Sequence, residues 1–171
     1  MHSTPRTLGI AAALLFCAAV ASAQNISSLG SQLTTLDGKP TTVAQIGQGK
    51  VTVISFWATW CGPCKKEMKA MQEVYNRLGK DFVYIAVSID DMKSTAKVKP
   101  YIDSKGYTFT VLLDPNQSLF QTLNGTNPPY TLVFAADGTL HSKHEGYLDG
   151  DELKLEEELK TLITAPGGAA H

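Results

Sequence analysis

The sequence predicts an α/β fold in which helices flank a central mixed β-sheet, and three observations carry that expectation. Two apolar, β-branched and aromatic runs of strand length, "VTVISFWA" (51–58) and "FVYIAVSID" (82–90), lack polar alternation, as strands buried on both faces do. Stretches with helical periodicity follow them, so strands and helices alternate as in a sheet with parallel strands. "YTLVFAADGTLHSKHEGY" (130–147) then reads as two strands around Ala136-Asp137-Gly138, an antiparallel hairpin that makes the sheet mixed.

In chain order, residues 24–35 are polar and rich in Ser and Thr, and "LDGKP" (36–40) is a turn leading to a short helical piece, "TTVAQIGQGK". After the first buried strand, Met68, Met71, Val74, Tyr75 and Leu78 recur at helical spacing, with Lys65, Lys66, Lys69 and Glu73 largely on another face. This predicts an amphipathic helix over 63–78, ended by Gly79. The second buried strand leads to a helical stretch over 94–104, stopped by Gly106, in which Pro100 bends the helix or shifts its start. "YTFTVLLD" (107–114) is a strand, and residues 115–124 form a short helix that begins with Pro115. The closing helix, 149–163, has acidic residues at its start and apolar ones at Leu153, Leu155, Leu159, Leu162 and Ile163, and residues 165–171 read as a flexible tail.

With 171 residues, 43% hydrophobic and 18% charged, the chain has material for one domain with a sizeable core. A formal charge of -1 supplies neither the basic surface that nucleic acid needs nor a cluster able to hold an anionic membrane. The start is built differently: Arg6, then an apolar run over 8–20, then small residues at 21–23, the pattern of a signal peptide over 1–23. Its thirteen apolar positions would rise about 20 Å as a helix, short of a roughly 30 Å hydrocarbon core, so no stable membrane span is expected after cleavage. Cys17 in that run invites a lipoprotein reading, but Phe16 stands where a small residue precedes a lipidated cysteine. The expected product is an exported domain over 24–164 in the bacterial periplasm or cell envelope.

Cleavage leaves two cysteines, Cys61 and Cys64, in an oxidising compartment. A bridge between positions three apart closes almost no loop, so it constrains the unfolded chain too little to be a staple. A metal site needs three or four ligands, and this chain offers one C-x-x-C. His141 and His144, three apart on a strand, point to opposite faces and read as solvated, so no metal and no cofactor are expected. Redox chemistry remains. Cys61 immediately precedes a helix, where unpaired N–H groups and the macrodipole favour a thiolate. Pro63 suits the first turn, Gly62 leaves the nearer sulfur open, and Cys64 lies about one turn on, able to resolve a mixed disulfide.

"FWATWCGPCKKE" closely resembles the thioredoxin active site, and strand, C-x-x-C helix, strand and closing hairpin-helix follow the thioredoxin order from about residue 31 to 163. The leader, the motif's form and the extra helix-strand segment around 93–114 make the chain most similar to the TlpA/ResA-like exported thiol-disulfide oxidoreductases. The resemblance implies a thioredoxin-like fold, a mostly reducing activity, and a cis-proline facing the cysteines, matched by Pro129. Pro128, Pro129 and Tyr130 would lie beside the sulfurs, where substrate backbone can pair with them. Trp60 and Trp57 match the aromatic shield of the family, although Trp57 equally suits a core role.

One departure matters. Thioredoxin itself carries a buried acid at the position of Ser55, so that proton acceptor is absent here. Glu67 is its replacement in TlpA/ResA-like proteins: three residues beyond Cys64 on nearly the same helix face, it would exchange a proton with that sulfur. The competing reading is an exposed acid favoured by the helix dipole.

Gly-Pro is also the dipeptide between the cysteines of thioredoxin, which favours a reductant of protein disulfides over an oxidase or isomerase. A reductant in an oxidising compartment implies a membrane-bound thiol donor, and cytochrome c maturation is one client process the resemblance brings. The chain is expected to act as a monomer. Alternatives left open are a peroxiredoxin-like peroxidase, because the extra helix-strand segment also occurs in peroxiredoxin-like relatives, although the peroxidatic Thr-x-x-Cys is missing and Thr59-Trp60-Cys61 is only superficially close to it, and a binding module without turnover.

Overall fold

The computed structural model describes residues 24–165, so the expected signal peptide with Cys17, and residues 166–171 of the expected tail, lie outside the described residues. Seven strands form one sheet: β1 (Leu33–Thr35), β2 (Pro40–Thr41), β3 (Val51–Trp57), β4 (Phe82–Ser88), β5 (Thr110–Leu113), β6 (Tyr130–Phe134) and β7 (Leu140–Glu145), in the order β2-β1-β5-β4-β3-β6-β7. The β3–β4 and β4–β5 pairs are parallel, and the other pairings are antiparallel. Every residue of β3 is buried, as its unbroken apolar run predicts for a strand covered on both faces.

Alternation along β3 sorts the helices into two layers. The Phe56 ring lies tilted 5.1 Å from that of Phe120 in α4 (Ser118–Thr122), and Thr52 donates to the Gly47 carbonyl in α1 (Val43–Gly47), so these two helices cover one face. On the other face Ser55 meets α2 (Gly62–Leu78), and Trp57 lies 5.5 Å from Tyr101 in α3 (Val98–Lys105). Beside α2 lies α5 (Asp151–Thr164), joined to it by a two-pronged pair between Arg77 and the buried Glu156. The segment around 93–114 supplies α3 and β5, with β5 placed between β1 and β4.

Four local expectations shift. The polar stretch 24–35 and the turn after it contain β1 and β2, a small hairpin attached to β5, whose Thr-rich sequence hides the one buried anchor, Leu33. Pro100 shifts the start of α3, sitting in its first turn, where a missing N–H costs no helical bond. The helix α4 begins at Ser118 rather than at Pro115, because the buried Asp114 carboxylate accepts from the N–H groups of Ser118, Leu119 and Phe120. In α5 the core face is Leu155 and Leu159; Leu153 is exposed in the first turn.

Candidate active site

The parallel strand β3 ends at Trp57, and four residues later Cys61 is the N-cap of α2. Its sulfur accepts the Cys64 N–H at 3.2 Å, the bond that a capping side chain makes to an otherwise unpaired donor of the first turn. Cys61 and Cys64 are joined as a disulfide with an S–S distance of 1.99 Å, and both are buried, whereas Gly62 and Pro63 between them are exposed. Trp60, beside Cys61, is 65% exposed, whereas Trp57 is fully buried against α3 and takes the core role.

The approach to Cys61 is held from β4. The buried Asp90 carboxylate accepts from the Thr59 N–H at 2.8 Å and from the Thr59 hydroxyl at 2.5 Å, and Ser88 donates to the same group at 2.9 Å. Asp90 stands out in the sequence only as the end of a buried strand, with nothing to mark it as the clamp on Thr59.

Opposite, the Pro128–Pro129 peptide bond is cis, and Pro129 is buried while Pro128 is half-buried. Antiparallel register sets Tyr130 against Phe56, which brings the start of β6 to the same sheet edge as the end of β3. Tyr130 itself is paired with Phe56 on one side and Glu145 on the other, and its hydroxyl donates to the Leu123 carbonyl at 2.9 Å. It supports the proline turn from the α4 face. The Gly146 N–H donates to the Pro129 carbonyl at 2.9 Å, tying the β7–α5 turn to this rim, and the neighbouring Leu148 is 76% exposed. Neither Gly146 nor Leu148 carried a sequence signal of its own.

Beneath the helix start lies a buried acid. Glu67 is 5% exposed, one turn beyond Cys64, and its Oε1 accepts from Thr131 at 2.7 Å and from Ser55 at 3.4 Å. Ser55 and Thr131 are register partners on β3 and β6, so their hydroxyls point to the same face, 3.0 Å apart. Burial pushes the Glu67 carboxyl up to about 7, against the opposing pull of the two hydroxyl contacts. The exposed-acid reading of Glu67 therefore fails. Among the described residues the Tyr84 hydroxyl is buried without a hydrogen-bond partner, and burial holds it well above the usual phenol range.

The histidines differ from expectation. His141 and His144 do not point to opposite faces: their Nε2 atoms lie 3.7 and 3.1 Å from the two carboxylate oxygens of Glu158 on α5. The register skips His141, with Phe134 paired to Leu140 and Val133 to Ser142, so an extra residue breaks the alternation of β7. No group of three or more His, Cys, Asp or Glu able to hold a metal ion occurs among the described residues.

The AhpC/TSA family profile matches residues 28–143. Among curated proteins, the thioredoxin-like protein YneN of Bacillus subtilis is 29% identical over 128 residues, 74% of each chain. The thiol-disulfide oxidoreductase ResA of Bacillus anthracis is 31% identical over 106 residues, covering 62% of this chain and 60% of that one. Among solved structures, a thioredoxin-like protein from Porphyromonas gingivalis is 33% identical, with a TM-score of 0.70 over 82% of this chain and 94% of that one. A thiol:disulfide interchange protein from Chlorobium tepidum is 26% identical, with a TM-score of 0.64 over 84% and 99%.

Proposed function

The chain belongs to the AhpC/TSA family of thioredoxin-like proteins, and from that premise we propose that it is a thiol-disulfide oxidoreductase that reduces protein disulfides in the bacterial cell envelope. The observation that carries this reading is the Cys61–Cys64 disulfide at the N-terminus of α2 with Glu67 buried one turn below.

In the reduced protein the Cys61 thiolate attacks one sulfur of a substrate disulfide, releasing the other as a thiolate and forming a mixed disulfide. Glu67, as carboxylate, takes the proton of the Cys64 thiol, and the Cys64 sulfur then displaces the substrate from Cys61. Two electrons pass to the substrate and the pair ends oxidised, the state seen here. Trp60, Gly62, Pro63, Pro128 and Pro129 form the rim a client strand meets, and Tyr130 supports it. A membrane-bound thiol reductant restores the dithiol, and the leader over 1–23 delivers the domain, which works as a monomer. Maturation of cytochrome c is one setting for a reductant of this kind.

A Cys64→Ser variant should accumulate mixed disulfides through Cys61, identifiable by mass spectrometry, and their absence from envelope extracts would sink the proposal. The peroxidase alternative loses support because the Thr59 hydroxyl is committed to Asp90; consumption of hydrogen peroxide at the rate of disulfide reduction would restore it.

A further inference from the structure

Strand pairing sets three polar residues in one row across the sheet: Ser55 on β3 is the partner of Thr131 on β6, and Thr131 is the partner of His144 on β7. Residues directly opposite one another on adjacent strands share a face, so the row lies under α2 and α5. It starts at the buried Glu67 carboxylate and ends on the edge strand, where the His144 side chain is 42% exposed and bonded to Glu158. A cavity of about 210 Å³ follows the same line, its lining including Glu67, Met71, Thr131, His144, Tyr147 and Leu155. A water molecule takes up roughly 30 Å³ and needs polar partners, and this cavity offers both room and partners.

We propose that this row is the route by which the buried Glu67 exchanges its proton with solvent, with His144 as the positioning residue that receives and returns the proton at the open end. The inference rests on the reading of Glu67 as the proton partner of Cys64. It adds where that proton comes from.

During reduction of the Cys61–Cys64 disulfide by an external dithiol, one donor thiolate bonds to the Cys61 sulfur as the Cys61–Cys64 bond breaks, and the donor's second sulfur then displaces Cys61 as a thiolate, leaving the donor as a disulfide that has given up two electrons. Glu67 gives its proton to the departing Cys64 sulfur and becomes a carboxylate. The His144 imidazolium then passes one proton through cavity water and the Thr131 hydroxyl to Glu67, and regains one from solvent. Substrate reduction runs the same relay outward. The Glu158 carboxylate beside His144 keeps the imidazolium available by raising its pKa above the ordinary histidine value. Other charged or titratable groups also bear on the row: Glu145 at the end of β7, Tyr147 in the turn after it, Asp151, Glu152 and Lys154 on α5, and Tyr84 on β4. Of these, His144 alone is a register partner of Thr131 on its outer side.

The test uses the mature chain and dithiothreitol as the donor. His144→Ala should slow disulfide reduction several-fold near pH 6.5 and regain the rate when imidazole is added, whereas His141→Ala, which touches Glu158 from outside the row, should not change it. In a Glu67→Gln background, His144→Ala should cost nothing more and imidazole should do nothing. A wild-type rate and pH profile for His144→Ala, or a loss that imidazole fails to restore, would overturn the route. If Glu67→Gln alone is silent, the reading of Glu67 as the dithiol's proton partner falls, and the row is judged by the Glu67 ¹³Cδ titration. There His144→Gln should raise the Glu67 midpoint, and an unchanged midpoint overturns the proposal.

Discussion

The Glu67 carboxylate on α2 accepts a hydrogen bond from the Thr131 hydroxyl on β6 at 2.7 Å, so the acid proposed to serve the dithiol is held by a strand 64 residues away in sequence. Ser55, on the strand between them, completes the cluster at 3.4 Å. A helix-borne carboxylate thus reaches the place on β3 where thioredoxin has its own acid. The hydroxyls there stabilise the ionised form and burial opposes it; burial wins, which leaves the group titrating near neutrality.

Stability should therefore fall as pH rises. Between the ordinary value of 4.5 and about 7, the unfolded chain has lost the Glu67 proton and the folded chain keeps it, so unfolding releases a proton. The loss amounts to about 3 kcal/mol across that window. His144, whose pKa is raised first by its bond to Glu158, contributes in the same direction, since its stabilisation also disappears with rising pH. Comparing wild type with Glu67→Gln cancels that part. The drop in urea midpoint from pH 5 to pH 8 should be larger in the wild type than in the variant, which keeps only the His144 part, and equal drops in both would contradict the buried-acid account.

Thr131→Val removes the shorter of the two donors to Glu67 while keeping nearly the same side-chain volume. Loss of a hydrogen bond to the charged form disfavours ionisation, so the Glu67 midpoint should move above its wild-type value of about 7. Titration of the Glu67 ¹³Cδ shift by NMR measures it. A downward movement would mean that water admitted by the substitution outweighs the lost bond.

Much of this arrangement was legible in the chain, for reasons that differ element by element. Unbroken apolar runs gave β3 and β4 because strands covered on both faces leave no polar alternation, and the C-x-x-C at a helix start was readable as chemistry from local sequence alone. Glu67 was singled out by the resemblance to TlpA/ResA-like proteins together with its spacing from Cys64, since spacing alone left an exposed acid open. Thr131, His144 and Asp90 were not, because each acts through a partner brought by register: Thr131 and His144 are separated by a hairpin, and Asp90 caps a loop 31 residues earlier. The β1–β2 hairpin escaped because its strands are three and two residues long, below the length at which a period of two can be seen. His141 shows the limit of alternation arguments, since one extra residue in β7 brought two histidines to the same acid.

Asp114 is the residue whose loss should loosen the rim without touching the sulfurs. Its carboxylate is 2% exposed and accepts from three backbone N–H groups and from the Ser118 hydroxyl at the start of α4. That helix carries Phe120 against Phe56 and Tyr130, and Tyr130 follows the proline turn. Asp114→Ala leaves buried donors unpaired, and stability should drop by about 2–4 kcal/mol in equilibrium denaturation. Asp114→Asn, which retains an acceptor, should lose less. Equal losses would show that the charge, rather than the pairing, holds α4.

The reduction potential of the Cys61–Cys64 pair decides the direction of exchange. Thioredoxin, which shares the Gly-Pro dipeptide, lies near −270 mV, and a strong oxidant such as DsbA near −120 mV; the difference of about 150 mV is roughly 7 kcal/mol for two electrons. The sulfur of Cys61 caps α2, where the unpaired N–H groups of the first turn and the helix dipole favour its thiolate, whereas Glu67, one turn beyond Cys64 and titrating near 7, is about half ionised at neutral pH and tempers that stabilisation. A modestly stabilised thiolate is the condition for a reductant, because strong stabilisation of the reduced form is what makes an oxidant. Equilibration with glutathione buffers at pH 7 should give a value close to that of thioredoxin. A potential above about −180 mV, the poise of a disulfide isomerase, would reverse the proposed direction.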